Sequence, residues 1–345
     1  MELHRIFTIA LTALAAIPTM AQDRNNEDEV VKVDARFSAY NYREGEVIVK
    51  FKDQSAAQIN APRRTKFRTS GVNSIDATLR ELGVSEVEAL MPLSGNQQVK
   101  RLARSVNGKT VAAPAMNRIY LMHFDKTKVR NTEEAVAKLA KLADVEYAEP
   151  NRIVYALGNT ESQAGLSKAL KDAQEQPNGG GGKNISYDDP LFGQQWGLQT
   201  MKLPQLWQQP IITQKRPIIA ILDTGVDIDH PDLKANIWTN TKESEGAEDY
   251  DDDGNGFKDD LHGWDFVNQT GRIGDWNGHG THCAGIAAAV GGNGIGIVGA
   301  NPDALIMPVT VMQSDGTGDV ATIIKGIDYA VANGADIISM SFGSY

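Results

Sequence analysis

Ile218-Ile219-Ala220-Ile221-Leu222-Asp223-Thr224-Gly225 is an unbroken apolar run closed by a carboxylate and a turn. A segment apolar on both faces reads as a strand buried on both sides, which is the signature of a parallel sheet covered by helices. Asp223 then stands at the carboxyl edge of that strand, where open α/β sheets build their sites. Downstream, His279 sits between glycines at the start of an Ala- and Gly-rich helix running to Val290, and Ala304 to Met312 reads as a second strand. Val320, Ile323, Ile324, Ile327 and Val331 mark an amphipathic helix that Asn333-Gly334 ends, and Asp336 to Phe342 gives a third strand. Strand, helix, strand with short connections predicts right-handed crossovers, so residues 185–345 are expected to form an α/β domain on a parallel sheet.

Upstream the pattern changes. Glu46 to Lys52 sets Val47, Val49 and Phe51 against Ile48, Lys50 and Lys52, which predicts a strand with one well-buried face. A helix over Val72 to Leu82, strands at Val87 to Met91 and Arg118 to Phe124, and a helix opened by the capping box Asn131/Glu134 follow. Val145 to Asn151 predicts an edge strand stopped by Pro150. Strand, helix, strand, strand, helix, strand is the split βαβ plan of a small α+β, ferredoxin-like domain over 44–157.

Length and composition bound the rest. The 345 residues leave room for two domains, and a formal net charge of -10 disfavours a nucleic-acid partner. His4 and Arg5 precede an apolar run, Ile6 to Pro18, and the small-residue site Thr19-Met20-Ala21, so 1–21 reads as a secretory signal cut after Ala21. No later segment is apolar for long enough to hold the protein in a membrane once the signal is removed. Residues 22–43 read as a leader, and 158–184, closed by Gly179 to Gly182, as a flexible linker open to a maturation cut. Cys283, the single cysteine, excludes an intramolecular disulfide and a thiolate metal cluster. Its plainest reading is a small buried hydrophobe, and that of His282 a packed, hydrogen-bonded structural residue.

Asp251-Asp252-Asp253-Gly254-Asn255-Gly256-Phe257-Lys258-Asp259-Asp260 carries oxygen donors at alternate positions with glycine sixth in the frame. Such a loop wraps a hard cation, and Asp251, Asp253, Asn255, Asp259 and Asp260 are the candidate calcium ligands. The twelfth position is His262 and not Glu, so the EF-hand frame is incomplete.

Asp223-Thr224-Gly225, His230-Pro231-Asp232-Leu233 and His279-Gly280-Thr281-His282-Cys283-Ala284-Gly285, in this order and in these contexts, resemble the subtilisin-type serine endopeptidases. The resemblance implies that His279 is a general base oriented by Asp223, two members of an Asp/His/Ser triad. It implies that Asp315-Gly316-Thr317-Gly318 and Ser341-Phe342-Gly343 are edges that bind a polypeptide substrate as an added strand, although the plainer reading of the former is a turn. It also implies a second calcium site from Asp189, Asp232 and Asn293. Glu46 to Phe51 and Glu146 to Asn151 are similar to the propeptide of such enzymes, which implies an intramolecular inhibitor and folding template whose tail lies in the cleft. The basic run Lys100 to Arg104 reads as an added loop there. The Gly-Thr-Ser-x-Ala motif and the oxyanion asparagine of the family are not in these 345 residues. The expectation is a secreted precursor truncated within its peptidase domain and inactive by itself, against two alternatives. One is a non-catalytic secreted inhibitor or calcium-binding pseudo-protease. The other, an aspartic-protease loop at Asp223, lacks the second carboxylate loop its mechanism needs.

Overall fold

The computed structural model of the chain describes residues 41–52, 66–67, 69–93, 118–157, 188–208 and 215–344. The expected signal segment, the basic run and the linker lie outside the described residues. The chain forms two units, one of residues up to Ile153 with Asp319–Asp328 and Ser344, the other of Val154–Gly318 with Tyr329–Gly343.

The sheet of the first unit is antiparallel in the order β5-β1-β4-β3-β2, with β1 Tyr42–Phe51, β2 Lys66–Phe67, β3 Glu86–Ala89, β4 Ile119–His123 and β5 Val145–Ala156. Its core is the pattern seen in the sequence. Val47, Val49 and Phe51 pack with Ile75, Leu79 and Leu82 of α1 (Asn73–Leu82) and with Ala135 and Leu139 of α2 (Thr132–Leu139). Gly83 ends α1 in the left-handed region, where a side chain would be strained. Asn131 caps α2 by accepting the Glu134 N–H at 3.0 Å; the return arm goes one residue further back, since Glu134 accepts from Arg130 and not from Asn131.

Two expectations need correction. The other face of β1 is also covered, with Ile48 and Lys50 buried. Residues 319–328 lie on that side of the unit, where Lys325 pairs with Glu88 at 2.8 Å and buried Asn151 bonds Glu46, Asp319 and the Ala321 N–H. Pro150 does not stop β5, which continues six residues past it to Ala156. It sits opposite Val47 beside a register shift in the β1 ladder, where the ring does not interrupt the strand.

In the second unit a wholly parallel sheet runs in the order β9-β6-β8-β7, with β6 Ile218–Asp223, β7 Trp264–Asp265, β8 Leu305–Thr310 and β9 Ile337–Met340. β6 lies between β9 and β8 and all six of its residues are buried, as its composition requires. The Ala and Gly spacing of α3 (His279–Ala288) brings that helix close to the sheet, where Ala284 and Ala288 pack with Ile219, Ile221 and Ile306. The third predicted strand is split: β9 ends at Met340, and β10 (Phe342–Gly343) pairs antiparallel with Ala156 and Tyr155. Among the described residues no helix is long and apolar enough to cross a membrane.

The last turn of α4 (Val320–Ala332) supplies Tyr329 to this unit, and its ring meets Phe257 edge-on at 5.0 Å. Its hydroxyl donates to Asp260 Oδ2 at 2.6 Å in a site where both residues are fully buried. Removing that donor in Tyr329→Phe leaves a buried carboxylate short of a partner. A loss of about 1 to 3 kcal/mol is expected in denaturant unfolding, with Phe257 packing retained.

Candidate active site

Asp223 ends β6 and is 1% exposed. Its main-chain carbonyl accepts the Val311 and Met312 N–H groups, and its Oδ1 accepts the Thr224 N–H at 2.7 Å, so the carboxylate is held from both sides. His279 opens α3 directly above, with Nδ1 2.7 Å from Asp223 Oδ1. The close approach depends on glycine. A Cβ on Gly280 would lie 2.0 Å from the Gly225 carbonyl oxygen, and Gly225 itself sits at φ +119 with its own Cβ position 2.0 Å from Gly274 O.

Sequence reasoning missed Asp275. Oδ1 accepts from Thr224 Oγ1 and from the Asn277 and Gly278 N–H groups, and Oδ2 accepts from the Thr281 N–H and hydroxyl. One carboxylate thus ties the residue after Asp223 to the loop that presents His279. Although burial would raise its pKa, the bonds from Thr281, Gly278 and Asn277 hold it below the usual carboxylate range. The available signal was an aspartate four residues before a helix-opening histidine, a common capping pattern that carries no catalytic meaning by itself.

The other ring nitrogen of His279 is also engaged. Nε2 lies 2.8 Å from the Leu157 carbonyl, at the end of the strand formed by β5. That strand is held on two sides: the Ala156 N–H donates to Gly316 O at 2.8 Å and the Leu157 N–H to Ser341 O at 2.9 Å. Of the expected substrate-binding residues, Gly316, Ser341, Phe342 and Gly343 therefore meet 155–157, while Asp315 closes its own turn through the Thr317 N–H and hydroxyl. Gly318 contributes by lacking a side chain, since a Cβ there would come within 3.3 Å of Val154.

A carboxylate and a carbonyl only accept hydrogen bonds, so an arrangement in which both His279 nitrogens meet them favours the imidazolium form, in which both donate. The electrostatics agree. Burial works to lower the His279 pKa, but the bond and charge of Asp223, the Leu157 carbonyl and Asp275 together raise it. Docking of 154–157 is thereby linked to the proton. The folded, docked state has the raised pKa, so its added stability is complete below the ordinary histidine value and is lost as pH rises through the raised one. Hydrogen exchange of the Ala156 and Leu157 amides, corrected for intrinsic rate, is expected to show protection falling across that window. Protection independent of pH would contradict the link.

Cys283 is half-buried, with Sγ 3.9 Å and 4.0 Å from the two His279 nitrogens. Burial pushes its thiol pKa up, so it stays protonated and a poor nucleophile. His282 is exposed and not packed as expected, because α3 turns Gly280, Ala284 and Ala288 inward and residue 282 lies on the opposite side.

In the acidic loop the structure brings Asp251, Asp253 and Glu243 together, with carboxylate oxygens all within 4.8 Å of one another. Glu243 lies before the frame and was not foreseen. It also accepts the Asp252, Asp253 and Asp259 N–H groups. Asn255 Oδ1 accepts the Phe257 N–H, and Asp259 accepts the Asp249 N–H. Asp260 faces away into the core, bonded by Asn240, Asn255 and Tyr329, and burial pushes its pKa up to about 6. Around the second expected site Asn293 Nδ2 donates to Asp232 Oδ1 at 2.9 Å, Asp232 Oδ2 accepts the Ile297 N–H, and Asp189 accepts from Gly292 and Asn293. The three residues meet through one loop, with Asp189 and Asp232 buried.

The site is thus a buried Asp–His pair at the carboxyl edge of a parallel sheet, with an extended segment laid across it. Comparison with known proteins places it more narrowly. Residues 214–345 match the Subtilase family (Peptidase_S8), and residues 92–151 match the Fervidolysin N-terminal prodomain. Residues 214–345 are thus similar to the subtilases, and residues 92–151 to a prodomain of the fervidolysin type. It is 39% identical over 157 residues to thermitase from Thermoactinomyces vulgaris, covering 45% of this chain and 47% of that one. To subtilisin-like protease 1 of Plasmodium berghei (strain Anka) it is 38% identical over 162 residues, covering 46% and 27%. The thermophilic serine proteinase of Bacillus sp. (strain AK1) is 28% identical over 349 residues, covering 99% and 64%. The chain therefore spans between about a quarter and two thirds of the length of these relatives. The crystal structure of fervidolysin from Fervidobacterium pennivorans, described as a keratinolytic enzyme related to subtilisin, shares the fold. Its TM-score is 0.52 at 21% identity, over 90% of this chain and 37% of that one.

Proposed function

We propose that this chain is the prodomain and Asp/His-bearing part of a secreted subtilisin-like serine endopeptidase precursor. The observation that carries the reading is the 2.7 Å contact between His279 Nδ1 and buried Asp223 Oδ1. In this reading Asp223 fixes the tautomer of His279 and stabilises its protonated form while His279 takes the proton of a serine hydroxyl. Polypeptide substrates bind as an added strand between Gly316 and Ser341–Gly343, and the prodomain occupies that place as an intramolecular inhibitor. A triad without its serine retains little catalysis, so the 345-residue polypeptide is inactive by itself. Secretion rests on the Ile6 to Pro18 run and the Ala21 site, and the net charge speaks against a nucleic-acid partner.

Calcium is the structural ion we assign to the acidic loop. Three carboxylates within 4.8 Å repel one another unless a cation neutralises them, and oxygen donors in a loop suit calcium. Asp251, Asp253 and Glu243 are the core of that set, with Asn255 and Asp259 in the same loop and Asp260 acting from behind through Asn255. Asp189, Asp232 and Asn293 form the second, for which Asn293 would present its oxygen in place of the amide it now offers. Calcium in large excess over its dissociation constant is expected to stabilise the chain by about 2 to 4 kcal/mol, read as a rise in Tm that EDTA reverses. Glu243→Gln should reduce that rise, and a Tm indifferent to calcium would contradict the assignment.

The functional reading is tested by joining the chain to a serine-bearing subtilase segment and following hydrolysis of a casein substrate. Activity that requires His279 supports it; a folded, serine-complete polypeptide without hydrolysis sinks it and favours a non-catalytic binding protein.

A further inference from the structure

We infer that the peptide bond formed by the Leu157 carbonyl is the bond cut on maturation, and that Val154-Tyr155-Ala156-Leu157 reports the sequence preference of the cleft. The inference rests on the proposed peptidase reading and deepens it. Sequence alone left the cut anywhere in a linker of 27 residues, 158–184. The geometry singles out one carbonyl: that of Leu157, 2.8 Å from His279 Nε2. The register is fixed from both edges, by Ala156 N–H to Gly316 O, Leu157 N–H to Ser341 O, and the pairings of Phe342 with Ala156 and Gly343 with Tyr155. A slip of one residue would turn every side chain to the opposite face, bringing Tyr155 into the buried position of Val154.

The side chains are matched to what surrounds them. Val154 is 5% exposed and fills the space that Gly318 leaves, where the absent Cβ would be 3.3 Å from Val154 Cγ2. Ala156 Cβ lies 3.5 Å from the position a Cβ on Gly316 would take, so a larger residue before the cut meets the backbone of this edge. Leu157 Cδ2 lies 3.6 Å from the corresponding point on Gly343, so this edge touches one side of a side chain that is otherwise 57% exposed. The preference that follows is an apolar residue at the cleaved position, a small residue before it, and a branched apolar residue two positions further back.

Hydrolysis adds water across the bond. The Leu157 carbonyl carbon gains oxygen and becomes a carboxylate, the nitrogen that follows leaves as an amine, and His279 carries the proton between serine and leaving group. The new carboxylate would still accept from His279 Nε2–H, so the cut tail remains a bound product and the prodomain an inhibitor.

The test uses the serine-complete precursor containing this whole chain, with intact mass and terminal sequencing of both products. A prodomain fragment ending at Leu157 is expected. Leu157→Asp should slow that cut by about 10- to 100-fold, the scale of a mismatched pocket, while Leu157→Met, with the same circular dichroism, should process at nearly the original rate. Cleavage at another bond in an enzyme that becomes active, or equal rates for Asp and Leu at 157, overturns this inference and leaves the peptidase reading intact. A folded precursor with neither cleavage nor activity overturns both.

Discussion

Asp223→Asn is expected to lower kcat of the serine-complete enzyme by about 10⁴-fold with the fold preserved, the scale seen when a triad imidazole loses its orienting carboxylate. The reason is local. Asp223 Oδ1 accepts a hydrogen bond from His279 Nδ1–H at 2.7 Å, which fixes that proton on Nδ1 and leaves Nε2 to act as the base. An amide there can present N–H to the ring and hold it in the wrong tautomer. The same substitution removes the strongest influence raising the His279 pKa, leaving burial opposed only by the Leu157 carbonyl and the Asp275 charge. In the 345-residue chain, which needs no serine for this measurement, NMR titration of His279 should show the midpoint moving to lower pH. An unchanged midpoint would mean that the pair is not coupled as its geometry requires.

Gly280→Ala is expected to be strongly damaging, although it adds only one methyl group near the site. Its Cβ would fall 2.0 Å from the Gly225 carbonyl oxygen and 3.0 Å from Asp223 Cβ, and backbone cannot move aside as a flexible side chain can. Either α3 lifts off β6 or the Asp223–Gly225 turn is displaced. Overpacking of this kind costs about 1 to 3 kcal/mol and occasionally more. Because the displaced turn carries Asp223, activity should fall together with stability. A matched control is Gly285→Ala, whose Cβ would meet only Ile297 Cδ1 at an ordinary 3.5 Å and should cost little. Chemical denaturation of the two variants separates close packing at the site from a general dislike of alanine in α3.

Much of this was legible in the chain because the informative residues are local. An all-apolar run ending in Asp223 determines strand, burial on both faces and position at the sheet edge together. Val47, Val49 and Phe51 announce one face of β1 in the same way. What escaped was set by partners distant in sequence. Glu243 joins Asp251 and Asp253 only through the turn that separates them, and no ligand frame counts backwards to it. Asp260 carries the right charge for a cation ligand but spends its oxygens on Asn240, Asn255 and Tyr329. Pro150 looked like a stop because a ladder normally needs its N–H, and a register shift in β1 removes that need. The seat of Leu157 at His279 depends on two edges brought together by the fold, 159 and 184 residues from it for Gly316 and Ser341 by the numbering.

The central claim is that Asp223 and His279 serve a serine nucleophile that these 345 residues do not contain. Labelling by a serine-directed phosphonate tests it most directly. The account predicts no label on the 345-residue chain, and one label on the serine of an added Gly-Thr-Ser segment that disappears in His279→Ala. A label on Ser341 of the chain itself, or labelling that survives loss of His279, would contradict it.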